Sequence, residues 1–342
     1  MDIIEVNAES HYEAGKQIGV KTKELQQLFY AKFIPECSWD ILVKQAASYL
    51  PETEKMFPHF VSELRGLALG IDVPFERVWA LQCRDEVLGQ LQNGKCSSVF
   101  IHTEAGWIVG HNEDDFWNGF SKEEARSLYF MVNKTIAGKS TFYLGFPFMI
   151  GGETVSINSS GTVQTINTLH HKDIQAGGVP RNIIARALCE MGTVHSIRDT
   201  LAKTKRASGY CHTFLIDNKL SCVESTETSF EFITPSDRFV HTNHYLGSLA
   251  AFEDKEDEGH FVTVERCDAI RHKIGTIKTG DELKQILHTQ TNSESSIYRD
   301  GDFSRTMVSV IIEVATGTVY VSNRNRGDES DWEKIIPFPK AP

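Results

Sequence analysis

The chain contains no C-x-x-C pair, so no zinc knuckle or thioredoxin-like motif is visible. Its seven cysteines (Cys37, Cys83, Cys96, Cys189, Cys211, Cys222 and Cys267) are scattered and odd in number, which argues against a disulfide framework. No apolar run approaches the roughly 20 residues that span a bilayer. The opening Met1-Asp-Ile-Ile-Glu-Val6 lacks the basic-then-apolar layout of a secretion signal. The expectation is a soluble, cytoplasmic protein with reduced thiols, in which the sequons at Asn133 and Asn158 are chance matches. Positive charge is scarce: 35 Lys and Arg stand against 46 Asp and Glu, a net charge of −11. That balance excludes nucleic acid and an anionic membrane surface as the main partner. No phosphate loop of the form G-x-x-x-x-G-K-[ST] occurs, and Gly145, Gly151 and Gly152 do not make a dinucleotide fingerprint. No cofactor is therefore expected.

What remains is globular: 342 residues, 40% hydrophobic and 24% charged, enough for one large domain or two ordinary ones. Helical spacing of apolar residues dominates the first 95 positions. A short opening strand precedes a helix from Ser10, with Gly15 and Gly19 on one face. Further helices are predicted to Leu50, from Met56 to Leu69, and from Phe75 to Leu88. After Asn93-Gly94-Lys95-Cys96 the chain becomes β-rich. Strands are predicted at 97–102, 107–112, 127–133, 141–144, 154–158, 163–167, 212–217, 222–225 and 230–233, with a closing hairpin at 307–314 and 318–322. Helices are predicted at 180–191, 194–204, 262–274 and 281–288. Strands with helices grouped between them predict an α+β layered sandwich.

The most informative stretch runs from Cys96 to Asp115. Thr103-Glu-Ala-Gly106 is a turn between two apolar runs, so residues whose numbers sum to about 209 face one another. Cys96 then lies opposite Glu113, with Asn112 and Asp114 beside it. A thiol at the start of one strand thus meets a polar cluster at the end of the next. The plainer alternative is a core cysteine beside a solvated loop.

Over most of its length the chain resembles the acyl-coenzyme A:6-aminopenicillanic acid acyltransferase family, which includes β-alanyl-amine hydrolases. These are N-terminal nucleophile hydrolases, made as proenzymes and cut immediately before a cysteine. Besides Cys96 and Asn112-Glu-Asp114, the resemblance is carried by Glu13-Ala-Gly-Lys-Gln-Ile-Gly19, Phe60 to Gly70, Asn158-Ser-Ser-Gly161, Gly178-Val-Pro180, His241-Thr-Asn-His244, Ser296-Ile-Tyr-Arg299 and Ser304-Arg305. It implies an αββα four-layer sandwich over residues 96–342, with residues 1–95 as a helical leader. It also implies a set of roles: Cys96 as nucleophile and, through its freed α-amine, as base; Asp114 holding that amine; Asn243 as oxyanion donor; Arg305 beside the sulfur, with Arg299 as its substitute. Asn112, His244 and Arg299 fall among the binding residues. The reaction so implied is cleavage or transfer of an acyl group at a non-peptide amide through a thioester. The partner is a small-molecule amide or acyl donor, with hydrolysis favoured over transfer. One departure stands out: the family's Gly before the nucleophile is Lys95 here, without Gly's conformational freedom. Two other readings stay open. One is an uncleaved, non-catalytic member; the other is a metal hydrolase built on His241, His244, His170, His171, Asp114 and Asp115.

Overall fold

The computed structural model describes residues 1–33, 38–88, 96–115, 117, 119–169, 173–253, 258–291, 295–301, 304–323 and 331–338. The first segment gives strand β1 (Ile3–Ala8) and helices α1 (His11–Lys32), α2 (Trp39–Ala46), α3 (Leu50–Met56), α4 (Pro58–Ile71), α5 (Phe75–Gln82) and α6 (Arg84–Leu88). Then come β2 (Ser97–Thr103), β3 (Gly106–Asp115), α7 (Lys122–Ser127), β4 (Phe130–Ile136), β5 (Lys139–Gly145), β6 (Val155–Asn158) and β7 (Val163–Thr168). Helices α8 (Arg181–Leu188) and α9 (Val194–Lys203) lead to β8 (Tyr210–Ile216), β9 (Lys219–Ser225), β10 (Phe230–Ile233) and β11 (Arg238–His241). The chain ends with α10 (Glu258–Ile274), α11 (Gly280–Leu287), β12 (Arg305–Glu313), β13 (Thr318–Ser322) and β14 (Glu333–Ile335).

Two sheets form, in the order β1-β4-β5-β6-β7-β8-β9-β10 and β11-β2-β3-β12-β13-β14. They face one another, with Ser98 on β2 donating to Asn167 on β7 at 2.8 Å. The smaller sheet buries its outer face under α10 and α11, in an apolar core that includes Val99, Ile101, Ile270, Leu283 and Leu287. The larger sheet is covered by α1, α4 and α8. This is the four-layer αββα sandwich expected from the sequence. The β2–β3 register pairs Ser97 with Asn112 and Thr103 with Gly106, the pairing the turn at Thr103–Gly106 dictates.

The elements from β1 to α6 are built into this body. β1 runs parallel to β4 as the edge of the large sheet. Helices α1 and α4 cross at Gly15, Gly19, Gly66 and Gly70; a Cβ on Gly15 would sit 1.9 Å from the Glu63 carbonyl oxygen, so only a bare backbone fits. Glu63 on α4 is fully buried and meets Lys134 of β4, Arg186 of α8 at 3.1 Å and His11 at 2.8 Å. Its carboxyl is desolvated, yet the two cations hold it ionised, well below the usual carboxylate range. Removing one partner from such a network leaves an uncompensated buried charge, worth about 3–5 kcal/mol.

Helix α7 and strand β14 carry no strong periodicity and were not expected from the sequence. Ser121 caps α7 through a capping box with Glu124, and Glu333 on β14 pairs with Val321 of β13.

Candidate active site

Cys96 sits one residue before β2 and is buried at 5% exposure. Its sulfur lies within 4.8 Å of His111 and of the Glu113 carboxyl. From Glu113 the polar contacts continue inward between the sheets. Glu113 Oε2 lies 3.0 Å from His111 Nε2, His111 Nδ1 lies 3.1 Å from Ser98 Oγ, and Ser98 reaches Asn167. The thiol opens on a cavity of about 60 Å³ whose lining includes Glu113, Asp114, Glu153, Thr168, Arg181 and Tyr210. Helix α6 supplies part of its wall: Arg84 and Asp85 line it, and Asp85 pairs with Arg181 at 2.9 Å.

Burial dominates the electrostatics here. Desolvation, then the Glu113 and Asp114 charges, push the Cys96 thiol well above its ordinary range, so the resting group is a neutral thiol. Desolvation raises Glu113 to about 8 and Asp114 to about 6, the latter opposed by the Arg266 and Arg299 guanidinium charges. His111 is lowered by burial to about 4 and stays neutral.

A carboxyl raised in this way makes stability depend on pH with a definite sign. Between the ordinary value of 4.5 and about 8, the folded chain keeps the Glu113 proton that the unfolded chain gives up. The contribution of Glu113 is therefore most favourable below that window and is lost as pH rises through it, at a slope of up to roughly 1.4 kcal/mol per pH unit. Glu113→Gln is expected to flatten this loss, making the variant the more stable form at pH 8.5 relative to wild type than at pH 5. Urea denaturation at the two pH values checks it.

Asp114 lies on β3 and accepts from Thr306 Oγ1 at 2.7 Å; its other oxygen, Oδ2, is buried with no hydrogen-bond partner among the described residues. Asn243, just past β11, accepts from Arg266 Nη2 at 2.6 Å through Oδ1 and donates from Nδ2 to the Thr168 carbonyl at 3.0 Å. The same Arg266 nitrogen lies 3.4 Å from the Cys96 carbonyl oxygen. One guanidinium on α10 thus ties the cysteine backbone to the Asn243 amide, fixing which end of that amide faces Thr168, a residue of the cavity wall.

Three expectations are corrected by this placement. The guanidinium beside Cys96 belongs to Arg266, which the motifs did not single out. Arg305 stands opposite Asp115 in the β12–β3 ladder and donates from Nε to the Gly301 carbonyl at 2.9 Å. Arg299 is the second cation at the site, its charge bearing on Asp114 and on Arg266. Asn112 is an anchor for the outer layer: Nδ2 donates to the Leu287 and Ile297 carbonyls at 2.9 and 3.0 Å, and Oδ1 accepts from Ser309. His244 does not line the cavity; its Nδ1 lies 3.2 Å from Thr242 Oγ1. The Lys95–Cys96 junction lies outside the described residues on its Lys95 side, as do His170 and His171. Among the described residues, two buried trios bring three possible metal ligands within 4.8 Å of one another: Cys96, His111 and Glu113, and Cys211, Cys222 and His241.

Residues 101–328, well over half of the chain, match the family described as acyl-coenzyme A:6-aminopenicillanic acid acyl-transferase. The chain belongs to this family. Within the acyl-transferase match lie Glu113, Asp114, Asn243, Arg266 and Arg299, whereas Cys96 stands five residues ahead of it. A β-alanyl-dopamine/carcinine hydrolase from Drosophila melanogaster is 28% identical over 199 residues, 51% of this chain and 49% of that protein. The chain therefore spans about half the length of that curated relative. Two variants of a conjugated bile acid hydrolase from Clostridium perfringens align with TM-scores of 0.45 and 0.44, at 11% and 12% identity, over 70% of this chain and 92% of each. Among the described residues no helix is long and apolar enough to cross a membrane.

Proposed function

We propose that this acyl-transferase family member is a cysteine amidohydrolase or acyltransferase, acting on non-peptide amides through a thioester on Cys96. The observation that carries the reading is a buried thiol and a buried Asp114 oxygen at one cavity, with the Asn243 amide tied to the Cys96 backbone through Arg266.

The chemistry follows from the protonation states. A neutral thiol is a poor nucleophile, so its proton must leave before or during attack. Cleavage of the chain before Cys96 frees an α-amine of ordinary pKa near 7.7–8.0, which takes that proton. The resulting ammonium is what Asp114 Oδ2 holds in this scheme. Sulfur attacks the amide carbon, the C–S bond forms, and negative charge collects on the carbonyl oxygen, where Asn243 Nδ2 donates. The C–N bond then breaks as the ammonium returns its proton to the leaving amine. Water or an acceptor amine, deprotonated by the same α-amine, attacks the thioester and restores the thiol. The first cut must occur before any α-amine exists, and Glu113 beside the thiol serves as its base only in the ionised form, which its value of about 8 makes the minor one at neutral pH.

Five carboxyls line the cavity against two guanidiniums, Arg84 and Arg181. Glu113 and Glu153, both raised by burial to about 8, are protonated at rest and ionise most readily when a cation arrives. A small aminoacyl amide fits that character, and carcinine and β-alanyl-dopamine are the first compounds to assay.

Maturation is tested by the intact mass of freshly purified protein. The expected products are residues 1–95 and 96–342, held together by the Glu63 network and the shared sheet, with Cys96→Ala remaining whole. A chain that stays whole yet hydrolyses amides contradicts the α-amine's role as base.

A further inference from the structure

One buried cluster has no part in the chemistry above. Cys211 on β8 and Cys222 on β9 bring their sulfurs to 3.5 Å, and His241 at the end of β11 completes the trio of donors within 4.8 Å of one another. All three are 0% exposed, and both cysteines are free thiols. The strands β8 and β9 belong to the large sheet and β11 to the small one, so the cluster spans the interface between the sheets.

We propose that Cys211, Cys222 and His241 form a structural site for a thiophilic divalent cation of the zinc class, pinning the two sheets together beside Asn243. Two thiolates bound tetrahedrally at about 2.3 Å from a metal lie roughly 3.8 Å apart, close to the separation already present. The histidine adds an independent argument. Its Nδ1 lies 2.8 Å from the Thr242 carbonyl, which only accepts, so Nδ1 carries a hydrogen. In a neutral ring Nε2 then presents a lone pair, and it lies 2.9 Å from Glu224 Oε1, another acceptor. Two acceptors at that distance need a proton shared between them, or a metal. Glu224 is held in place, accepting from the backbone N–H groups of Leu246 at 2.7 Å and Gly247 at 3.0 Å. A metal at Nε2 also uses both thiols, which lose their protons on binding. The Nδ1–H to carbonyl contact is the outer interaction that orients metal-bound imidazoles, and Glu224 beside Nε2 adds a neighbouring carboxylate outside the trio of donors. Full burial keeps solvent oxidants from the sulfur pair and favours an ion acquired during folding and then retained.

The test is the metal content of the full-length protein from zinc-supplemented cells, and its spectrum when expressed in cobalt-containing medium. The expected result is about one zinc per chain surviving gel filtration. With cobalt, a sulfur-to-metal charge-transfer band in the near ultraviolet should accompany the intense visible bands of a tetrahedral ion. Both signals should vanish in Cys211→Ser and Cys222→Ser and persist in Cys96→Ala. Metal-free protein without the band overturns the proposal, as does a band that follows Cys96 instead. If the serine variants do not fold, alkylation of wild type decides: two thiols protected until a chelator is added support the site, and a Cys211–Cys222 disulfide overturns it.

Discussion

Cys96→Ala is expected to lower turnover of any acyl substrate by at least about 10⁴-fold, because it removes the nucleophile and the base with one substitution. In a mature enzyme of this type the sulfur and the α-amine belong to the same residue, so no neighbour substitutes for either. The fold should survive: the side chain lost is small, and the β2–β3 ladder begins at Ser97 and does not depend on it. Circular dichroism and the urea midpoint should therefore remain near wild type while activity falls. Cys96→Ser is the informative companion. It keeps a hydroxyl beside Glu113, but an alcohol is a far weaker nucleophile than a thiol at neutral pH. Its turnover should also collapse, and any chain cleavage should slow.

Asn243→Ala is the second large effect, expected to reduce kcat by about 10²–10³-fold with a smaller change in KM. This is the usual loss, roughly 2.7–4 kcal/mol of barrier, when one oxyanion donor is removed. A purely structural Asn243 would behave differently, and Asn243→Asp separates the two roles. An aspartate keeps the acceptor for Arg266 and loses the donor to the Thr168 carbonyl, so only a role in holding Arg266 would be rescued. An oxyanion role would not be, since the substitution places a second negative charge where the first develops. Steady-state kinetics on both variants, with melting curves alongside, decide between them.

Much of this site is legible in the sequence, because short-range rules placed it. The Thr103–Gly106 turn fixes the β2–β3 register, and that register alone brings Glu113 and Asp114 to Cys96. Asn243 is singled out only by the family resemblance at His241-Thr-Asn-His244; on the sequence alone a turn residue reads as well. Arg266 was missed because no motif marks it, though a signal is present. Thr263, Arg266, Cys267, Ile270 and Ile274 are the buried face of α10. An arginine on an apolar helical stripe is rare unless it is paired, and here its partners, Asn243 and the Asp114 charge, come from distant strands. Arg305 drew attention by lying in a late motif, but its strand position sets it against Asp115. Asn112 shares a sheet face with Asp114 and serves the outer helical layer, its partners being the carbonyls of Leu287 at the end of α11 and of Ile297 beyond it. Proximity along a strand does not reveal which carbonyls a later helix will deliver. The place of the elements from β1 to α6 was only half legible for the same reason: the helices have clear periodicity, whereas the pairing of β1 with β4 spans more than a hundred residues.

The account rests on the Cys96 sulfur accepting the acyl group. The most direct measurement is the mass of the Cys96 peptide after rapid acid quench of enzyme turning over a β-alanyl amide. A mass increase equal to the acyl group, on the peptide beginning at Cys96 and discharged by hydroxylamine, is the predicted result. Turnover with that peptide unmodified throughout, or an acyl group carried elsewhere in the chain, would contradict it.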